Sequence, residues 1–200
     1  LGSIAQLAVW LGEASDALGG PLHVVGHSMG SFIGLEAAAT LGERVASLVV
    51  MGLGAAMPVH PDLQAAADLD DPLAADLMAG WMHGTDQKFG SNPTPGMSMT
   101  GTSRAVIETS PAGVLAADLA LCAAYDGAVA AAAAITCPTT VILGTLDRMT
   151  PRRGAQPLVD ALGRSGDRGT LVELATSGHA PMMEDPDAVR SALLRHLFPG

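Results

Sequence analysis

Ser28, Asp147 and His179 are the residues whose types and settings could do nucleophilic chemistry. Ser28 stands in Gly26-His27-Ser28-Met29-Gly30, a G-x-S-x-G pentapeptide directly after a short apolar run and before a helix-forming stretch. A serine on so tight a turn is held in a strained backbone conformation, at a cost of about 1–3 kcal/mol, and its hydroxyl stands clear of the sheet edge. The motif predicts that glycine is required on both flanks, because a Cβ at either would meet the neighbouring strand or helix. The N–H of Met29, opening the helix, would face negative charge developing on a substrate.

A neutral serine is a poor nucleophile, so a base and an orienting acid are needed. Asp147 closes Gly144-Thr145-Leu146-Asp147 after one predicted strand, and His179 closes Ser177-Gly178-His179 after another. All three residues fall at the carboxyl edge of one parallel sheet, where they can converge although distant in sequence. His179 would then take the Ser28 proton while Asp147 fixes the tautomer and steadies the imidazolium. Among rival acids, Asp118 and Asp126 read as polar faces of an Ala-rich helix. Asp160 and Asp167 lie away from a strand's carboxyl end, which leaves Asp147.

The elements that must position these residues follow from the hydrophobic pattern. Ile4, Leu7, Ala8, Leu11, Ala14 and Leu18 recur at helical spacing behind a Ser3 cap, and Gly19-Gly20-Pro21 ends the helix. Leu22–Val25 reads as a strand buried on both faces, a second helix follows through Phe32, Leu35 and Ala39, and Val45–Met51 is a second buried strand. Residues 54–135 break this rhythm, with helical stretches around 62–82 and 112–134 flanking Asp86–Ser103, which is dense in Gly, Ser, Pro and Thr. The rhythm then resumes: strand Thr139–Leu143, helix Pro151–Leu162, strand Thr170–Leu174, helix Pro186–Leu197.

Composition bounds the rest. The chain has 200 residues, 48% hydrophobic and 3% aromatic, enough for one domain with a real core. Twenty acidic against ten basic residues give a net charge of −10, which argues against nucleic acid and anionic membranes as partners. No run of about 18 apolar residues reads as a membrane span. Cys122 and Cys137 form no CxxC pair, and no histidine has a second ligand at useful spacing, so no metal is expected.

The stretches HVVGHSMGSFIGLEAA, CPTTVILGTLDRMTP and SGHAPMMEDPDAV resemble the α/β-hydrolase superfamily, whose Ser, Asp, His order they share. The last carries that family's G-H-x(4)-E-x-P pattern through Gly178, His179, Glu184 and Pro186. The resemblance implies an α/β fold, a mostly parallel sheet flanked by helices, with residues 1–53 and 135–200 as core and 54–134 as a helical lid. It implies a serine hydrolase, most simply a carboxylesterase, working through an acyl-enzyme without a cofactor on a small, uncharged ester-like substrate. The same triad serves C–C hydrolases, lactonases, thioesterases and perhydrolases, and a non-catalytic ligand-binding module is the rival from another class.

In that family the serine turn normally follows the fifth strand, whereas 27 residues precede Ser28 here. The expectation is a chain lacking the amino-terminal strands and the second oxyanion donor, with an unpaired edge on Leu22–Val25 that would leave it unstable and weakly active. A cytoplasmic location is expected, with any targeting signal upstream of this chain.

The remaining residues carry weaker expectations. Met57, Trp81, Met82, Met149 and Met182 are candidates for lining an acyl pocket, since methionine is polarizable and adaptable. His60 and His83 are expected on the solvated surface of the lid, and His27 beneath the serine. Glu184 is expected to start the last helix or to brace the His179 loop. With few cations in the lid, phosphorylated and carboxylate substrates are disfavoured.

Overall fold

A computed structural model describes residues 1–86, 90, 92–164 and 169–198. Gln87–Phe89 and Ser91 of the Gly/Ser/Pro/Thr-rich stretch, and Asp167 among the rival acids, lie outside the described residues. The chain opens with α1 (Ile4–Leu18), β1 (Leu22–His27), α2 (Met29–Leu41) and β2 (Val45–Met51). Among the described residues, α3 (Pro61–Asp68), α4 (Leu73–Met82), α5 (Met99–Ile107), α6 (Val114–Ala124) and α7 (Ala128–Ala134) follow. It ends with β3 (Thr139–Gly144), α8 (Arg152–Arg164), β4 (Gly169–Leu174), α9 (Pro181–Glu184) and α10 (Pro186–Leu197).

The four strands form one parallel sheet in the order β1-β2-β3-β4. The period-2 alternation of a strand assigns β2 and β3 to both faces. Leu48, Val50, Val141 and Leu143 point into a core shared with Phe32 and Leu35 of α2, Ala132 of α7 and Leu158 of α8. Val49, Met51 and Ile142 point the other way, onto Val189 and Ala192 of α10. Helices thus cover the sheet on both faces, as parallel pairing requires.

β1 has the unpaired edge expected of Leu22–Val25 but departs from the expected burial on both faces. It lies at the end of the sheet, paired on one side to β2, and its residues alternate between partly buried and exposed, with Val25 49% exposed. An apolar run reads alike for a central and an edge strand, because the run records side chains and not the neighbour.

Between β2 and β3, α3, α4 and α6 share a small core of their own through Leu63, Ala66, Ala67, Ala74 and Leu119. Helix α5 lies in part of the stretch read from sequence as strandless and breaker-rich. Ser98 Oγ caps it by accepting the Gly101 N–H, and Arg104 ties it to Asp76 of α4. Among the described residues no single helix is long and apolar enough to cross a membrane.

Candidate active site

The turn from β1 into α2 holds Ser28 at φ 53°, a left-handed conformation that a non-glycine residue adopts only when its surroundings impose it. Here the imposing bonds are visible. The Ser28 N–H donates to Met51 O at the end of β2 (2.9 Å), and its carbonyl accepts from Ser31 N (2.8 Å). Ser31 Oγ lies 3.0 Å from Gly26 O and 2.8 Å from Met51 O, and accepts the Met51 N–H, so it locks the turn to β2.

The glycine expectation holds on one flank only. A Cβ on Gly26 would stand 2.3 Å from Gly30 O, a backbone atom that cannot move aside. A Cβ on Gly30 would meet nothing within 4 Å, because that position faces open space from the first turn of α2.

Asp147 and His179 meet as their strands bring them together. β3 and β4 are neighbours, and Asp147 follows the first as His179 follows the second. His179 Nδ1 lies 2.9 Å from Asp147 Oδ2, with both side chains almost wholly buried. Thr150 completes this arrangement and was not legible in the sequence. Its N–H and that of Met149 donate to Asp147 Oδ1 (both 2.8 Å), and its hydroxyl donates to Oδ2 (2.7 Å) while standing 3.2 Å from His179 Nδ1. Burial pushes the Asp147 carboxyl up, but His179 and the Thr150 donors outweigh it and hold the acid below its ordinary value. An ionised carboxylate at Nδ1 places the proton there, so Nε2 is the basic nitrogen of a neutral His179.

The His179 loop is clamped from several sides. Its N–H donates to Met82 O (2.6 Å), and its carbonyl accepts from His27 Nε2 (2.7 Å), whose ring lies 4.9 Å from the His179 ring. Burial, then repulsion from His179, lowers His27 to about 4, so its ring is neutral and Nε2 carries the donated proton. Gly52 approaches so closely that a Cβ would lie 3.0 Å from His179 O.

Glu184 braces the loop, one of its two expected roles. Its carboxylate accepts the N–H groups of Gly84 and Gly178 (both 2.8 Å) and of Ala180 (3.3 Å). Burial raises its carboxyl, and the neighbouring His83 ring with the Gly84 and Gly178 N–H bonds reverses this to a net lowering. His83 is not on the surface as expected: it is fully buried, with Nε2 at 2.8 Å from Ser103 Oγ and Nδ1 3.5 Å from Glu184. Asp185 caps α10 instead, accepting the Ala188 N–H.

Ser28 and His179 line one cavity of about 690 Å³, a size that suits a small molecule. The Ser28 hydroxyl makes no hydrogen bond to His179 in this arrangement, whereas the His179–Asp147 bond is formed. Open sites commonly complete such contacts only around a substrate. Of the expected lining residues, Met57, Trp81 and Met149 face the cavity, joined by Met78, Leu63 and His60. Met82 and Met182 do not line it. Met82 meets His179 through its carbonyl, and Met182 packs on the cluster beneath α10. Helices α3, α4 and α6 bring no Lys or Arg to this lining, whereas the loop after Asp147 brings Arg148 and the first turn of α8 brings Arg153.

An alpha/beta hydrolase family model matches residues 2–192. The chain belongs to the alpha/beta hydrolase family. Among curated proteins, none matches it. Solved structures with the same fold include the enol-lactonase from Burkholderia xenovorans LB400, 22% identical with a TM-score of 0.84, where the match covers 98% of this chain and 73% of that one. A thermophilic esterase from Thermogutta terrifontis is 22% identical with a TM-score of 0.79, covering 98% of this chain and 72% of that one. A hydrolase from Pseudomonas aeruginosa PA01 is 24% identical with a TM-score of 0.81, again over 98% and 72%.

In this alpha/beta hydrolase, other side chains are poor candidates for the chemistry. Cys122 borders the cavity, but burial, aided by Asp118, pushes its thiol up to about 11, so it is no thiolate near neutral pH. Among the described residues no group of three or more His, Cys, Asp and Glu is placed to hold a metal ion.

Proposed function

We propose that this alpha/beta hydrolase is a serine hydrolase that cleaves a carboxylic ester, or a related acyl bond, through an acyl-enzyme. One observation carries the reading: a serine forced to φ 53° shares a cavity with a buried histidine whose Nδ1 is held 2.9 Å from an aspartate. The left-handed turn serves no packing purpose that glycine would not serve with less strain.

In this mechanism Ser28 Oγ attacks the acyl carbon as His179 Nε2 takes its proton. Asp147 stabilises the imidazolium, and the Met29 N–H, free of an intrahelical partner at the start of α2, donates to the oxyanion. The imidazolium returns the proton to the departing alcohol, leaving an ester on Ser28. Water, deprotonated by His179, then releases the acid and restores the serine.

Labelling with a fluorophosphonate probe tests the reading. The chain is expected to become covalently labelled at Ser28 and the Ser28→Ala variant not at all. Equal labelling of both removes Ser28 as the nucleophile. A p-nitrophenyl ester assay is expected to show an initial burst if deacylation is the slower step.

A further inference from the structure

We propose that the substrate of this site carries a carboxylate, held by Arg148 and Arg153 at the core side of the cavity while its apolar part lies against the helical side. The inference rests on the proposed hydrolysis at Ser28 and names the class of substrate that site would take. It replaces the uncharged ester expected from the sequence.

The chain has twenty acidic residues for ten basic ones, so a lysine or arginine on this surface has carboxylates within easy reach. Four arginines use them, Arg44 with Asp16, Arg104 with Asp76 and Glu108, Arg152 with Glu173, and Arg190 with Asp187, while Arg195 makes no ion pair among the described residues and lies outside the cavity. Arg148 and Arg153 are exposed and make no hydrogen bond or ion pair among the described residues, yet both line the cavity that holds Ser28 and His179. Among the described residues no Asp or Glu lines that cavity, although the molecule carries a net charge of −10. Two unspent guanidinium groups in a carboxylate-free hollow of an acidic protein make a local positive potential, which apolar walls strengthen.

Local structure sets both arginines. Arg148 directly follows Asp147, and the bonds from Met149 and Thr150 to that carboxylate fix the loop that presents it. Arg153 lies in the first turn of α8, beside Arg152, which points away to Glu173. Met57, Leu63, Met78, Trp81 and Leu119 give the cavity an apolar stretch of lining in which His60 is the polar exception. A ligand matching both sides is an ester or lactone with a hydrocarbon stretch and one negative end, and guanidinium forks fit a carboxylate in two parallel bonds.

Binding and turnover are measured separately. The Ser28→Ala chain is titrated with glutaranilic acid, a stable amide with a free carboxylate, and with neutral butyranilide. At least tenfold tighter binding of the acid is expected, weakening as salt rises. The Arg148→Gln/Arg153→Gln double variant, also carrying Ser28→Ala, is expected to bind the two alike. Arg195→Gln, an exposed arginine outside the cavity, is expected to keep the difference. Equal binding by the Ser28→Ala chain, or a difference surviving in the double variant, overturns the proposal.

With Ser28 present, kcat/KM is compared for mono-4-nitrophenyl glutarate and 4-nitrophenyl butyrate. The anionic ester is expected to lead at least tenfold, chiefly through KM, and the lead to vanish in the double variant. Equal turnover of the two esters overturns the carboxylate proposal and leaves the hydrolase reading standing. Discriminating binding without turnover or fluorophosphonate labelling overturns the hydrolase reading alone.

Discussion

Asp147 is satisfied by four donors: the N–H groups of Met149 and Thr150, the Thr150 hydroxyl and His179 Nδ1. Thr150 is therefore a positioning residue, acting on the acid and touching the imidazole as well. Thr150→Val keeps the shape and the backbone donor and removes one bond to a buried charge, worth about 1.5–3 kcal/mol. If that bond also orders His179, kcat falls about tenfold or more with KM little changed, whereas a purely structural role lowers stability and leaves kcat intact. Steady-state kinetics beside a urea melt separate the two. The types of Ser28, Asp147 and His179 were legible because each follows an apolar run and chemistry limits what can stand there. Thr150 and Ser31 were not, since each takes its role from a partner brought near only by folding, and His27, expected beneath the serine, finds its partner in the His179 carbonyl. Met82 was misread for a related reason: it adjoins Trp81 on α4, but successive helical residues point about 100° apart.

The turn between β1 and α2 shows how an element constrains its residues unevenly. Gly26 sits where strand and helix backbones nearly touch, and Gly30 does not. Gly26→Ala is expected to cost more than about 3 kcal/mol or to prevent folding, since the clash is with backbone atoms of Gly30 and Ser31. Gly30→Ala is expected to raise stability by up to about 1 kcal/mol, because alanine replaces glycine within a helix. Urea denaturation of the two variants checks the contrast, and equal losses would show that both glycines are needed for close approach. Most elements were legible: β2 and β3 are apolar on both faces, and α10 carries its cap in Asp185. Helix α5 was hidden because Met99–Ile107 is rich in Gly, Thr and Ser and takes its support from Arg104 ion pairs and the His83–Ser103 bond. The unpaired edge of Leu22–Val25 was expected, whereas the order of the strands came only with the fold.

At the scale of the molecule, three titratable groups around the His179 loop, two buried and His27 partly buried, respond to acid in the same direction. His27 is lowered to about 4, so below pH 6.5 the unfolded chain gains a proton that the folded chain resists. Stability is therefore full above pH 6.5 and declines as pH falls toward 4, by about 2–3 kcal/mol after allowance for partial exposure. Asp147 and Glu184 are both held below their ordinary values, so their contribution is present above about pH 4 and is lost below it as they protonate. The two windows adjoin, and the fold should weaken continuously from pH 6.5 downward. His27→Gln separates them. Glutamine keeps an amide N–H to offer His179 O but takes up no proton, so its thermal midpoint should stay nearly level from pH 6.5 to 4.5 while that of the unsubstituted chain falls. Parallel declines in both would move the acid sensitivity away from His27, whereas a flat variant would tie it to the ring that holds the His179 carbonyl.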